Sequence, residues 1–366
     1  MATSFKTVEP AFRTGCGRYI QESGALSRLP EEVRRLGCRH ALILADDNTL
    51  PLAGEPARAL LAEAGMAAEM EIYNAFCNKE AAERLAASPR FAACDVVIGV
   101  GGGNILDYAK LCAVLAGRPV ICVATSSATC AAYTPLSVVY NGHWQTVGTI
   151  HHAVEINAAL ADMEILCRQP VRLLTAGAYD AVAKLLETAQ RLKGRREEEI
   201  DVGVRAAFEL SRFTYRRLLD DLPQARTDVQ RGVASKAVYD VVFNSIATTG
   251  IISSLSRGSN QTAIAHKLYE NCRKLFPETV RALLHGELVA LGLQAQLIFN
   301  GVEDQVDAFR RRLHSDGMPT ALSEIGIPPT RETVDRLFDQ IIASSAMAGT
   351  TEAEHGLLRR ALEAVL

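Results

Sequence analysis

The sequence predicts an α/β fold in two parts: a parallel-sheet domain over residues 1–164 and an all-helical domain over residues 165–366. Two observations carry this. Strand-like and helical stretches alternate through the first half, the rhythm of a parallel sheet with helices on its faces. Past about residue 163 the strand patterns vanish and helical periodicity runs to the C-terminus. At 366 residues, 48% of them apolar, the chain is long enough for two such units.

Taken in order, "HALILADD" (40–47), "AAEMEIY" (67–73), "CDVVIGV" (94–100) and "PVICVAT" (119–125) read as strands. "EPARALLAEAG" (55–65) and "KEAAERLAAS" (79–88) read as the helices between them. "SVVYNGHWQTVGT" (137–149) places Asn141-Gly142 between two extended runs, the signal of a two-residue hairpin turn. From "PVRLLTAGAYDAVAKLLETAQRL" onward the pattern is helical, with breaks expected near Gly258, Pro277, Gly317 and "GIPP" at 326–329.

The most informative short stretch is "VVIGVGGGNILDYAK" (96–110), where Gly101, Gly102 and Gly103 stand between a buried strand and the helical run Ile105–Leu115. A helix opening after such a turn offers unpaired N–H groups and the positive end of its dipole, which suits a phosphate. A glycine turn that serves the chain alone fits the same pattern, and GxGxxG spacing is absent. At the end of an earlier strand, Asp46 and Asp47 offer a carboxylate to a ribose diol, or alternatively the turn chemistry that Asp performs in any loop.

In the helical half, Asp180, His266 and His285 each stand in an otherwise apolar helical setting. Together they supply one carboxylate and two imidazoles, a ligand set that leaves positions open on a Lewis-acidic metal. Taken singly, a His of this kind is more often a hydrogen-bonded core residue than a metal ligand, and a buried Asp more often pairs with an N–H or Arg.

Composition narrows the function classes. A net charge of -3 with no basic block argues against nucleic acid, and no apolar run reads as a membrane span. "MATSFKTVEP" lacks the features of a signal peptide. Nine cysteines without CxxC pairs, several within apolar strands, read as reduced thiols, so a cytoplasmic location is expected.

The stretches "GVGGGNILDYAK", "TSSATCAAYTPLSVVYN", "AGAYDAVAKLLE", "AIAHKLYEN" and "LLHGELVALG" together resemble the glycerol dehydrogenase branch of the metal-dependent, iron-containing-type alcohol dehydrogenases. Within it, "ATCAAYTPLSVVYN" looks most like the hydroxycarboxylate dehydrogenase subgroup, whose members reduce 2-oxo acids. The resemblance implies a Rossmann-like domain followed by a helical one, as in the dehydroquinate synthase-like architecture, with nicotinamide and metal held in the cleft between. It further implies NAD(H), one divalent metal, zinc rather than iron, and a homo-oligomer acting on a small molecule.

Carried over position by position, the metal ligands fall on Asp180, His266 and His285. The pyrophosphate loop falls on Gly101, Gly102, Gly103 and Asn104, and the ribose carboxylate on Asp46. Thr125, Ser126, Thr134, Leu136 and Tyr140 match further cofactor-contacting positions. Three positions depart from the pattern. Cys130 replaces the Asp that meets the polyol in glycerol dehydrogenases, Tyr269 replaces the second His of HxxH, and Asn104 replaces the loop Lys. Asp46 points to NAD, although the hydroxycarboxylate subgroup lacks that carboxylate. The implied chemistry is metal-assisted hydride transfer, the metal polarising the substrate C–O bond.

Glycerol dehydrogenation is the nearest alternative. A lyase or cyclase of the dehydroquinate synthase type is another; it calls for several Lys and Arg around the pocket, in which the ligand-bearing stretches are poor, and a phosphate-bearing substrate is disfavoured on the same ground.

Overall fold

The computed structural model describes residues 14–142, 145–256 and 261–366. The opening segment examined for a leader falls outside these residues, as does the helix break expected at Gly258. Six strands form one parallel sheet: β1 (Tyr19–Glu22), β2 (His40–Ala45), β3 (Ala67–Ile72), β4 (Val96–Gly101), β5 (Val120–Ala124) and β8 (Ala158–Asp162). Their order is β1-β8-β5-β4-β2-β3. The chain leaves β2 toward β3 on one side and leaves β4 toward β5 on the other, so a topological switch point lies between β2 and β4. The crevice beyond the carboxyl ends of such strands is where open α/β sheets bind ligands.

β1 and β8 complete the sheet without a sequence signal of their own. β8 reads "AALAD", and alanine carries little strand preference. β1 is a four-residue, half-buried edge. β6 (Leu136–Tyr140) and β7 (Thr146–His151) pair as the expected antiparallel hairpin. Its turn is longer than two residues: Tyr140 pairs with Thr146, and the Asn141 N–H donates to the Gln145 carbonyl.

Helices α1 (Leu29–Arg35), α2 (Glu55–Glu63), α3 (Lys79–Ala86), α4 (Pro89–Ala93) and α5 (Gly103–Leu115) interleave with the strands. All named elements after β8 are helical. They are α6 (Met163–Leu166), α7 (Val171–Leu192), α8 (Val202–Gln230), α9 (Lys236–Phe243), α10 (Thr249–Leu255), α11 (Ile264–Leu275), α12 (His285–Phe299), α13 (Val306–Ser315), α14 (Arg331–Ile342) and α15 (Glu352–Glu363).

Side-chain alternation divides the core between the two faces of the sheet. Ala41, Ile43, Ile98 and Val100 pack with Leu29, Val33, Ala57 and Leu61 on one face. Leu42, Leu44, Val97 and Cys122 belong on the other to a cluster that includes Leu106 and Ala109 of α5 and continues through the C-terminal helices to Val365.

The continuous run Lys236–Leu255, in which a π-helical segment joins α9 to α10, has the length and composition of a membrane-crossing helix. Of its most apolar window 67% is buried within the molecule, as befits a core helix.

Candidate active site

Asp180 stands in the middle of α7, a helix pressed unusually close to its neighbours. A Cβ on Gly177, one turn earlier, would lie 1.9 Å from the Ser127 carbonyl oxygen. A Cβ on Gly286 would lie 1.9 Å from the Ala176 carbonyl oxygen. Only glycine permits both approaches, which bring the loop after β5 and the start of α12 against the helix bearing Asp180.

His285 is the first residue of α12. Its helix start is held by Glu287, whose carboxylate accepts the Leu284 N–H at 2.8 Å and a bidentate pair from Arg172 at 2.5 and 2.6 Å. Arg273, buried on α11, donates to the Arg281 and Leu283 carbonyls and so fixes the loop leading into His285.

His266 lies in the first turn of α11, where backbone N–H groups lack partners within the helix. Two buried side chains supply them. Glu187 Oε1 accepts from Ala263 and His266 N–H at 2.6 and 2.9 Å, while Gln296 Oε1 accepts from Ile264 and Ala265. The other Glu187 oxygen meets His266 Nδ1 at 2.5 Å, which holds a proton there and turns Nε2 toward Asp180.

The three ligand-type residues converge. His266 Nε2 and His285 Nε2 each lie 3.3 Å from Asp180 Oδ1, and the three ligand atoms fall within 4.8 Å of one another. Asp180 Oδ1 is buried yet lacks an aligned hydrogen bond. Burial opposes a charge on Asp180, but Lys184 and the imidazoles outweigh it and hold the carboxyl well below the usual range. Burial also lowers the pKa of His285, against the pull of Asp180. An orphaned carboxylate oxygen facing two imidazole nitrogens fits a divalent ion.

Tyr269, at the position of the missing second histidine, packs its ring edge-on against His285 with centroids 4.2 Å apart; its hydroxyl lies 3.5 Å from that of Tyr140. Cys130, partly exposed, sits in the field of Asp180, and burial pushes its thiol up to about 11.

At the switch point, Asp46 follows β2 and the glycine loop follows the adjacent β4. α5 begins after Gly102 as N-cap, a residue with no side chain to cap the helix start. The three glycines differ in purpose. A Cβ on Gly101 or Gly103 would lie 2.7 Å from Ile105 or Thr129 side-chain atoms, so the chain's own packing requires both. A Cβ on Gly102 would meet only Ser126 Oγ, at 3.3 Å.

Asp46 serves the turn after all. Its Oδ1 accepts the Asn48 and Thr49 N–H groups at 3.0 and 2.8 Å, and Oδ2 alone is left over among the described residues. Asp47 pairs with Asn74. Asn104 spends its amide on the Cys77 N–H and the Ala75 carbonyl, both at 2.6 Å. Thr125 is buried and donates its N–H to the Gly101 carbonyl, beside half-buried Ser126. Thr134 and Leu136 stand in the segment leading into β6, and Thr134 Oγ1 donates to the Cys130 carbonyl.

That segment is anchored by a group the sequence reading assigned no role. The fully buried Lys110 ammonium donates to the carbonyls of Ala131, Thr134 and Leu136 at 2.8, 3.1 and 2.5 Å and pairs with Asp107 at 2.8 Å. Lys184, Glu187 and Gln296 were missed likewise. The first two had a readable signal, standing four and seven residues after Asp180 on one helix face. A separate cavity of about 950 Å³, lined in part by Tyr215, Arg226 and Arg312, shares no residue with this cluster.

Comparison with known proteins agrees with this fold. The family described as iron-containing alcohol dehydrogenase matches residues 16–163. A glycerol dehydrogenase of Thermotoga maritima is 30% identical over 322 residues, covering 85% of this chain and 84% of that protein. Hydroxycarboxylate dehydrogenase A of Escherichia coli K12 is 32% identical over 278 residues, covering 74% and 73%. The crystal structure of glycerol dehydrogenase from Schizosaccharomyces pombe shares the fold, with a TM-score of 0.83 at 23% identity over 95% of this chain and 88% of that one. With its parallel sheet, C-terminal helices and convergent Asp180, His266 and His285, the chain belongs to the iron-containing alcohol dehydrogenase family of oxidoreductases.

Proposed function

We propose that the chain is a metal-dependent, NAD(H)-linked dehydrogenase of short 2-hydroxy acids and their 2-oxo counterparts, with Asp180, His266 and His285 as ligands to zinc. The observation that carries the reading is the convergent cluster itself, with an orphaned Asp180 oxygen and an uncharged Cys130 thiol in its field. When bound, a divalent ion would polarise the substrate C–O bond and the nicotinamide would carry the hydride. The chain's own part is positional. Glu187 keeps the proton on His266 Nδ1, Tyr269 fixes the His285 ring, and Lys110 holds the 131–136 segment, so two reactants would meet in a set geometry. In this reading the division into two domains falls near residue 164, where strands give way to helices.

Cys130 supports acids over polyols. A thiol is too weak a hydrogen-bond partner to recognise a polyol, and it does not repel an anion as a carboxylate would. Short 2-oxo acids with NADH are expected to give a higher kcat/KM than glycerol with NAD, and Cys130→Asp is expected to move the ratio toward glycerol. An unchanged ratio in the variant would remove Cys130 from specificity. The glycerol reading keeps one support, the names of relatives such as that of Thermotoga maritima.

Asp46 supports NAD over NADP, because a carboxylate beside the ribose repels a 2′-phosphate. Its Oδ2 is the atom left for that task. Steady-state kinetics with both cofactors test this: Asp46→Ser is expected to narrow the preference for NAD, and equal efficiency of the two cofactors in the unmodified protein would refute it.

A further inference from the structure

Lys184 has no place in the cofactor and metal assignments above, yet its side chain is only 7% exposed and its Nζ lies 3.7 Å from Asp180 Oδ1 and 3.5 Å from His266 Nε2. An ammonium has no lone pair to offer a metal. Beside residues suited to a cation it adds like charge, an arrangement that weakens metal binding unless something else answers it.

The fixed charges near the cluster can be followed one by one. Asp180 and Glu187 are carboxylates and Lys184 is a cation, while Cys130 is neutral. Of the next charges out, Asp107 and Lys110 form their own pair, while Arg191 stands near Glu187 and adds further positive charge. Adding a divalent ion leaves positive charge in excess in a largely buried place. A neutral alcohol leaves that excess standing; a carboxylate cancels it.

We propose that Lys184 is the specificity-determining residue of this site, its ammonium recognising the carboxylate of a 2-oxo or 2-hydroxy acid next to Asp180 and His266. The assignment rests on the metal and oxo-acid reading above. It also explains how a buried lysine is tolerated beside a cation site, since substrate completes its charge balance.

The test uses the full-length protein loaded with zinc and NADH. Isothermal titration calorimetry measures binding of oxamate, an anionic 2-oxo acid isostere, and of oxamide, its neutral amide, while elemental analysis follows zinc. In Lys184→Met, oxamate binding is expected to weaken at least about tenfold, the loss of a charge-assisted hydrogen bond, with oxamide binding unchanged. Zinc content should stay full, because a repelling charge has gone, and Lys184→Arg should retain most of the oxamate affinity. Unchanged oxamate affinity in Lys184→Met overturns the assignment, as does zinc loss in that variant or an equal loss of both ligands. If the unmodified protein reduces 2-oxo acids, such a result removes Lys184 alone. If the unmodified protein oxidises glycerol and ignores oxamate, the oxo-acid reading falls and takes the assignment with it.

Discussion

Replacing His285 by alanine is expected to lower bound metal and activity together, the latter by about a thousandfold or more, since polarisation of the C–O bond is worth several kcal/mol. Three protein ligands leave none to spare. The geometry makes His285 the informative choice: it is the first residue of α12, and the helix start is held by Glu287, Arg172 and Arg273 rather than by the imidazole, so its removal leaves the scaffold intact. Glu187→Gln, which disturbs the support of His266 and of the α11 start, should cost about 10- to 100-fold in metal affinity. Elemental analysis and metal titration of both variants check the pair. Full metal occupancy in His285→Ala would make His285 a core histidine.

The second large effect is one of stability. Lys110→Met should destabilise the protein by about 3–5 kcal/mol, because it leaves Asp107 as an uncompensated buried charge and strips three carbonyls of their donor. Methionine fills much of the volume, so a lost cavity does not account for the change. The released segment carries Thr134 and Leu136 and borders Cys130, so activity should fall even where the protein remains folded. Urea unfolding reports the first effect and kcat/KM well below the transition the second; a midpoint equal to that of the unmodified protein would show that the 131–136 segment is held by other contacts.

Much of this arrangement was readable in advance, and the exceptions have physical causes. β2, β4 and β5 are runs of β-branched and other apolar residues that announce themselves, whereas β8 is mostly alanine and becomes a strand only because β1 and β5 flank it. Asp180, His266 and His285 stood out as polar residues in apolar helices, but their convergence depends on close approaches at Gly177 and Gly286 that no local pattern encodes. The glycine loop was identified correctly as a site of tight backbone geometry, while the reason proved to be partly internal: Ile105 and Thr129 fill the space that side chains at 101 and 103 would take. Lys110 and Glu187 were given no role in the sequence reading. Their importance comes from burial, which is a property of the tertiary fold.

Glu187 uses two oxygen atoms for two jobs, ending the exposed backbone of α11 and setting the protonated nitrogen of His266. Substitutions there are pleiotropic, since both duties rest on one carboxylate. Mutational tolerance across this centre is therefore uneven. A ligand such as His285 can be lost at the expense of catalysis alone, whereas a change at 187 removes a folding determinant and a chemical one in a single step, and a lineage that drifts at this position gives up the α11 start and the His266 orientation together.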